Sequence, residues 1–202
     1  MPGKSREKTL RFNPRTDIPT IPNAMSIAGA VLAWCGAKRI DTTAGIAQVA
    51  AGRFIDVLDG IVARKTGQTS DFGAGLDAGL DKAVTAIILY EIESKGLAPT
   101  EIIAAITAFN GINAVASAKT IVEAGDETVR PEVSGKLALA LETSSLLAHL
   151  VGSRLETTGQ SQLARVARGI GNLAFAVSLP FAFKSTLSYI ERARQSKRRN
   201  DK

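Results

Sequence analysis

Apolar residues recur at helical spacing in six stretches of the chain, and each stretch ends in a break. The breaks contain charged residues or turn residues such as glycine, proline and threonine. The six stretches are residues 24–37, 43–63, 73–93, 101–122, 133–151 and 166–190. No segment of useful length alternates apolar and polar residues as a half-buried strand does. The pattern predicts an all-α fold, which we expect to form a single domain over residues 1–202.

Hydropathy alone does not decide whether these helices lie in water or in lipid, because no stretch has 18 uninterrupted apolar residues. The positions of the lysines and arginines favour a membrane. If the six helices cross alternately with both termini inside, 17 basic residues lie on the inner side and 6 on the outer side. This is the bias of cytoplasmic loops. We therefore expect a multi-pass cell-membrane protein whose basic segments 1–20 and 191–202 are cytoplasmic.

The composition limits the chemistry that the chain can perform. A single cysteine, Cys35, excludes an internal disulfide framework and a cysteine-based zinc site, and a single histidine, His149, excludes a histidine-rich metal centre. Carboxylates and basic groups must therefore supply most of the chemistry. The net charge of +6 also leaves open a soluble helical protein that binds nucleic acid through basic ends. That alternative gives no reason for the regular spacing of four aspartates between residues 56 and 81, so we expect no nucleic-acid partner.

Four aspartates lie close together on the second and third predicted helices. Asp56 and Asp59 are three residues apart and Asp77 and Asp81 are four apart, so each pair shares one helix face. A short turn makes the two helices antiparallel neighbours, and the four carboxylates can converge. Converging carboxylates repel one another unless cations lie between them, and oxygen-only ligands favour Mg²⁺ or Mn²⁺ over zinc. Four carboxylates suit two such ions about 3.5–4 Å apart, an arrangement that serves phosphoryl transfer.

The aspartates belong to a longer pattern, D-x2-D-G-x2-A-R-x8-G-x3-D-x3-D, which runs from Asp56 to Asp81. The pattern is the signature of the CDP-alcohol phosphatidyltransferase family, and the chain resembles that family with every spacing kept. The resemblance implies a six-helix integral membrane enzyme, usually a homodimer. Such an enzyme transfers the phosphatidyl group of a CDP-linked lipid, here CDP-diacylglycerol, to a small alcohol and releases CMP.

The resemblance also implies a role for each residue of the motif. Asp56 and Asp77 would bridge two metal ions, Asp59 would bind the first ion and Asp81 the second. Asp81 would also accept the proton of the attacking hydroxyl. The residues that would hold the cytidine and the phosphates of the CDP-lipid are Ile21, Pro22, Asn23, Ala24, Gly60, Ala63, Arg64, Ser70 and Gly73.

Basic residues outside the motif are candidates for binding the acceptor. Lys119, Arg130 and Lys136 could bind the phosphate of a phosphorylated alcohol. We expect glycerol 3-phosphate as the acceptor, with inositol phosphate as the alternative. Arg53 lies one helical turn before Asp56, and we expect it to pair with an acidic group because an unpaired arginine inside a bundle is costly.

Overall fold

The computed structural model describes residues 18–124 and 133–200, and every regular element within these ranges is an α-helix. The helices are α1 (Ile21–Ala37), α2 (Thr43–Thr66), α3 (Asp71–Ser94), α4 (Thr100–Ala124), α5 (Val133–Thr157) and α6 (Ser161–Asn200). The predicted all-α class is therefore confirmed for the described part of the chain. The chain divides into two compact units, Met1–Glu91 and Ile92–Lys202.

Most helices extend beyond their predicted bounds, and two of these ends have a clear physical reason. Helix α1 begins at Ile21, three residues early, because Thr20 caps it: its Oγ1 accepts a hydrogen bond from the Asn23 amide at 3.3 Å. Helix α6 continues through Pro180 and into the basic segment that we expected to be a tail, and it reaches 40 residues in length. The arginine, alanine, glutamine and lysine residues of this segment all favour helix, which explains the extension.

In the first unit, α1 and α2 pack together through small residues that let their backbones approach closely. A methyl group added at Gly29 would lie only 2.9 Å from the Gly52 carbonyl oxygen, and one added at Gly36 would lie 2.7 Å from the Gly45 oxygen. These contacts fix the register of the two helices. Asp59 lies seven residues after Gly52 and is buried on the same face of α2, so the register directs it towards α1.

Two residues, Gly67 and Ser70, fix the turn between α2 and α3. Gly67 ends α2 in the left-handed conformation, at φ 69°, where a side chain would be strained. Ser70 starts α3, since its Oγ accepts a hydrogen bond from the Gly73 amide at 3.0 Å. Between them, Gln68 Oε1 accepts a hydrogen bond from the Ile21 amide at 3.2 Å. The turn is thereby attached to the start of α1.

The second unit has polar groups inside and large apolar side chains outside. Helix α6 packs along both α4 and α5. Glu142 and Ser185 are buried, whereas Leu173 and Phe183 are 66% and 60% exposed. Of the described helices, two contain segments long and apolar enough to cross a membrane, Thr100–Thr120 and Ser161–Gln195. Large exposed apolar side chains around buried polar groups are the distribution expected of helices that face lipid.

Candidate active site

Three of the four predicted aspartates converge in the first unit. Asp56 and Asp59 on α2 and Asp77 on α3 each offer one carboxylate oxygen, and the three oxygens lie within 4.8 Å of one another. Asp59 is only 3% exposed, and the other two are half-buried. Ionised carboxylates accept hydrogen bonds and donate none, so the cluster suits a hard divalent cation.

Two further side chains hold the acidic cluster in place. Ser26, buried on α1, donates a hydrogen bond from its hydroxyl to Asp59 Oδ2. Arg53 Nη2 lies 2.5 Å from Asp81 Oδ1, and Arg53 Nη1 lies 3.9 Å from Asp56 Oδ2. The expectation that Arg53 pairs with an acidic group is confirmed. The fourth aspartate, Asp81, therefore lies at the edge of the cluster in an ion pair between α2 and α3.

A cavity of about 180 Å³ lies beside the aspartates, at the place where α1 begins and α2 ends. Its wall combines the acidic Asp59 and Asp77 with the cationic Arg64. The predicted CDP-lipid residues found on this wall are Pro22, Asn23, Gly60, Ala63, Arg64, Ser70 and Gly73. Ile21 and Ala24, also predicted, are exposed and are not part of the wall. Ile21 contributes instead through the hydrogen bond from its backbone to Gln68.

Gly73 allows the start of α1 to approach the start of α3. A methyl group at Gly73 would lie 2.8 Å from Asn23 Oδ1 and 3.1 Å from Ser70 Oγ. Asn23 is itself oriented, because its Nδ2 donates a hydrogen bond to the Ile18 carbonyl at 3.0 Å. The motif glycine thus keeps a polar amide oxygen at the wall of the cavity.

Four residues at this cavity were not singled out by the sequence analysis. They are Ser26, Gln68, Thr69 and Ala74. Ser26 could have been identified from the sequence. It places a hydroxyl in an apolar helix, three residues after Asn23, and a buried hydroxyl needs a hydrogen-bond partner. Gln68 and Thr69 belong to the eight unspecified positions of the motif. Only the turn that Gly67 creates brings them to the cavity.

The predicted acceptor residues lie elsewhere in the chain. In the second unit, Lys119 lines a cavity of about 450 Å³ between α4 and α6. Arg194, which the sequence analysis placed in the basic tail, lines the same cavity, and the rest of its wall is small or apolar. Lys136 is exposed near the start of α5. Arg130 lies outside the described residues.

Comparisons with known proteins agree with the motif. The family model for CDP-alcohol phosphatidyltransferase matches residues 19–183, so the chain belongs to the CDP-alcohol phosphatidyltransferase family. The resemblance predicted from residues 56–81 is therefore confirmed, and the family is one of phosphotransferase enzymes. Members of this family are membrane-bound and use a divalent metal.

Two curated relatives carry the name archaetidylinositol phosphate synthase. The protein from Pyrococcus horikoshii is 38% identical over 80 residues, which is 38% of this chain and 42% of that protein. The protein from Aeropyrum pernix is 30% identical over 97 residues, which is 48% of each. The chain thus spans less than half the length of these relatives in the matched regions. No solved protein structure matches the chain significantly.

Proposed function

We propose that the chain transfers the lipid-bearing phosphate group of a CDP-activated lipid to inositol phosphate and releases CMP. The observation that carries this proposal is the cluster of Asp56, Asp59 and Asp77 beside a cavity that also contains Arg64. An aspartate cluster that can hold a divalent cation, together with an arginine, suits a cytidine diphosphate. Both the cation and the guanidinium offset the negative charge of the phosphates. The family match supports the reaction class.

The donor set fits Mg²⁺ or Mn²⁺, since it consists of carboxylate oxygens. Asp56, Asp59 and Asp77 would hold the first ion, and Asp56, Asp77 and Asp81 would hold the second. When bound, the ions neutralise the diphosphate and stabilise charge on the departing CMP. The ion pair with Arg53 keeps the Asp81 carboxylate next to the cluster of the other three aspartates.

The chain's own residues would position the donor lipid. Arg64 would bind a phosphate of the donor lipid. Gly60 lies directly beside the Arg64 guanidinium, since a methyl group at Gly60 would lie 3.4 Å from Arg64 Nη1. The absence of a side chain at Gly60 leaves that space to the ligand. Asn23 and Ser70 offer polar atoms to the cytidine, and Gly73 keeps them close together. We propose CDP-diacylglycerol as the donor. The relatives' name makes the corresponding archaetidyl lipid the second donor to test.

The proposed transfer forms one phosphorus–oxygen bond and breaks another. A hydroxyl of the acceptor attacks the lipid-bearing phosphorus, and the bond from that phosphorus to the bridging oxygen of the diphosphate breaks. CMP takes the bonding electrons. Asp81 takes the proton of the attacking hydroxyl, as the resemblance implies.

We propose inositol phosphate rather than glycerol 3-phosphate as the acceptor, because both curated relatives are named for archaetidylinositol phosphate. Lys119 and Arg194 support a phosphorylated acceptor, since they bring two cations to one cavity. Lys136 and Arg130 remain proposed acceptor residues of the same kind.

Replacing Lys119 with alanine should raise the KM for inositol phosphate about 10- to 100-fold, the cost of losing a hydrogen bond to a charged group. The KM for the CDP-lipid should stay unchanged, because the proposed role of Lys119 is to bind the acceptor and not the CDP-lipid. Initial rates measured with each substrate varied in turn give both constants. Lys95→Ala, which removes a lysine between α3 and α4, is the control, and Lys136→Ala tests the second candidate.

The acceptor assignment has a clear contrary outcome. If glycerol 3-phosphate gives a higher kcat/KM than inositol phosphate, the acceptor proposal is wrong while the reaction class survives. Unchanged acceptor KM in both Lys119→Ala and Arg194→Ala would place the acceptor phosphate elsewhere.

We further propose one domain over residues 1–202 that crosses the membrane six times, forms a homodimer and keeps both termini cytoplasmic. Exposed apolar side chains on α1, α2 and α6 support contact with lipid, and so does the buried polar interior. The distribution of basic residues supports the orientation. The family match over residues 19–183 supports the single domain.

This topology places the turn between α2 and α3 on the cytoplasmic side. A Gln68→Cys substitution in a Cys35→Ser background should be labelled by an impermeant maleimide only from the inside. Gln160→Cys in the same background, in the turn between α5 and α6, should be labelled only from the outside. The background is needed because Cys35 is exposed. Labelling at position 68 from outside would overturn the orientation.

A further inference from the structure

A second polar centre lies in the second unit, where α4, α5 and α6 line a cavity of about 20 Å³. Gly135, Ala138 and Glu142 line it from one face of α5, at spacings of three and four residues. Asn110 and Asn113 line it from α4, and Ser185 from α6. A cavity of this volume holds one water-sized particle.

The cavity wall carries a buried carboxylate that pairs with no basic side chain among the described residues. Glu142 is only 4% exposed, and its hydrogen-bond partner in the described chain is the neutral amide of Asn110, whose Nδ2 lies 3.2 Å from Glu142 Oε2. Among the described residues, no lysine or arginine forms a salt bridge with it. A buried, uncompensated carboxylate costs several kcal/mol, and more where the surroundings are lipid.

Two other oxygens on the same wall lack a partner in the described structure. They are Asn113 Oδ1 and Ser185 Oγ, and Ser185 is only 1% exposed. A methyl group at Gly135 would lie 2.7 Å from Ser185 Oγ, so the hydroxyl is directed at α5. Asn110 Nδ2 already donates to the Ile106 carbonyl as well as to Glu142. The wall therefore presents one carboxylate and two further oxygens that have no partner among the described residues.

We propose that this cavity is a binding site for a monovalent metal cation such as Na⁺. Glu142 supplies the negative charge, and Asn113 Oδ1 and Ser185 Oγ supply neutral oxygen ligands. The ion joins α4, α5 and α6 at a point where the packing leaves oxygens without partners. Its ligands are on other helices than the aspartates of the candidate active site, which are on α2 and α3.

The size and charge of the wall select this class of occupant. Mg²⁺ demands an octahedral shell of oxygen ligands, whereas this wall offers one carboxylate and few neutral oxygens. A water molecule would satisfy the oxygens but would leave the carboxylate charge uncompensated. A monovalent cation satisfies the oxygens and neutralises the charge of a single carboxylate.

The test is thermal unfolding of the purified full-length protein in detergent, in NaCl or in choline chloride at equal ionic strength. Saturating Na⁺ should raise the unfolding midpoint by roughly 5 °C or more, because the ion binds the folded state. Glu142→Gln should abolish this shift. Ser185→Ala should move the half-maximal Na⁺ concentration upwards, and it provides the test should Glu142→Gln fail to fold.

Two controls separate this site from other sites for cations. Glu101→Gln, which removes an exposed carboxylate at the start of α4, should retain the Na⁺ shift. Asp77→Asn should retain it as well, because the aspartate cluster is not involved. Equal midpoints of the wild type in NaCl and choline chloride would overturn the proposal. An undiminished shift in Glu142→Gln, or in Ser185→Ala when Glu142→Gln does not fold, would overturn it too.

Discussion

Replacing Asp56 or Asp77 with alanine should lower turnover by at least about 1,000-fold. Bound metal ions contribute several kcal/mol of transition-state charge stabilisation, and each 1.36 kcal/mol corresponds to a factor of ten. Both residues belong to the group of three carboxylates within 4.8 Å, so the loss of either leaves too few oxygen ligands. CMP release from the CDP-lipid measures the effect, and chelation with EDTA should reproduce it in the wild type.

A matched control for these variants is Asp41→Asn. Asp41 is exposed in the turn before α2, far along the helix from the cluster, and its variant should keep normal turnover. If Asp56→Ala and Asp77→Ala fold and release CMP at near wild-type rates, the cluster does not hold the metal that the reaction needs.

The second large effect is expected at Asp81. Asp81→Asn should reduce kcat by about 100- to 10,000-fold, the usual contribution of a positioned general base. Binding of the CDP-lipid should be weakened far less, because Asp81 lies outside the cavity wall formed by Asn23, Arg64 and Gly73. Rapid mixing for turnover and equilibrium titration for binding give the two quantities separately.

Arg53→Gln is the matched control for Asp81→Asn. It breaks the same ion pair between α2 and α3 but leaves the carboxylate in place. The proposed role of Asp81 predicts a smaller loss of kcat in Arg53→Gln than in Asp81→Asn. Equal losses would mean that the ion pair, and not a proton acceptor, is what the reaction requires.

The cluster of Asp56, Asp59 and Asp77 was largely predictable because it depends on local spacing. Asp56 and Asp59 share a helix face at a spacing of three, and a short turn returns the chain to Asp77, so the three converge from helix geometry alone. Arg53 was predictable for a related reason, since a guanidinium one turn from an acidic residue needs a partner.

The features that the sequence did not predict depend on packing between distant segments. Ser26 meets Asp59 only because Gly29 and Gly52 bring α1 and α2 into one register. Arg194 reaches the cavity of Lys119 only because α6 continues as a helix well past residue 190. The start of α1 was misplaced because the prediction began the helix after Pro22, whereas proline is well tolerated in a first turn and Thr20 caps the helix before it.

The proposed reaction is tested most directly by incubating the purified protein with CDP-diacylglycerol, Mg²⁺ and inositol phosphate and measuring CMP. The archaetidyl donor is run in parallel. We expect CMP release that requires both the acceptor and the metal, yields one phospholipid per CMP, and disappears in Asp77→Ala. If the folded wild-type protein releases no CMP from either donor with any phosphorylated or free alcohol tested, the proposed reaction is wrong.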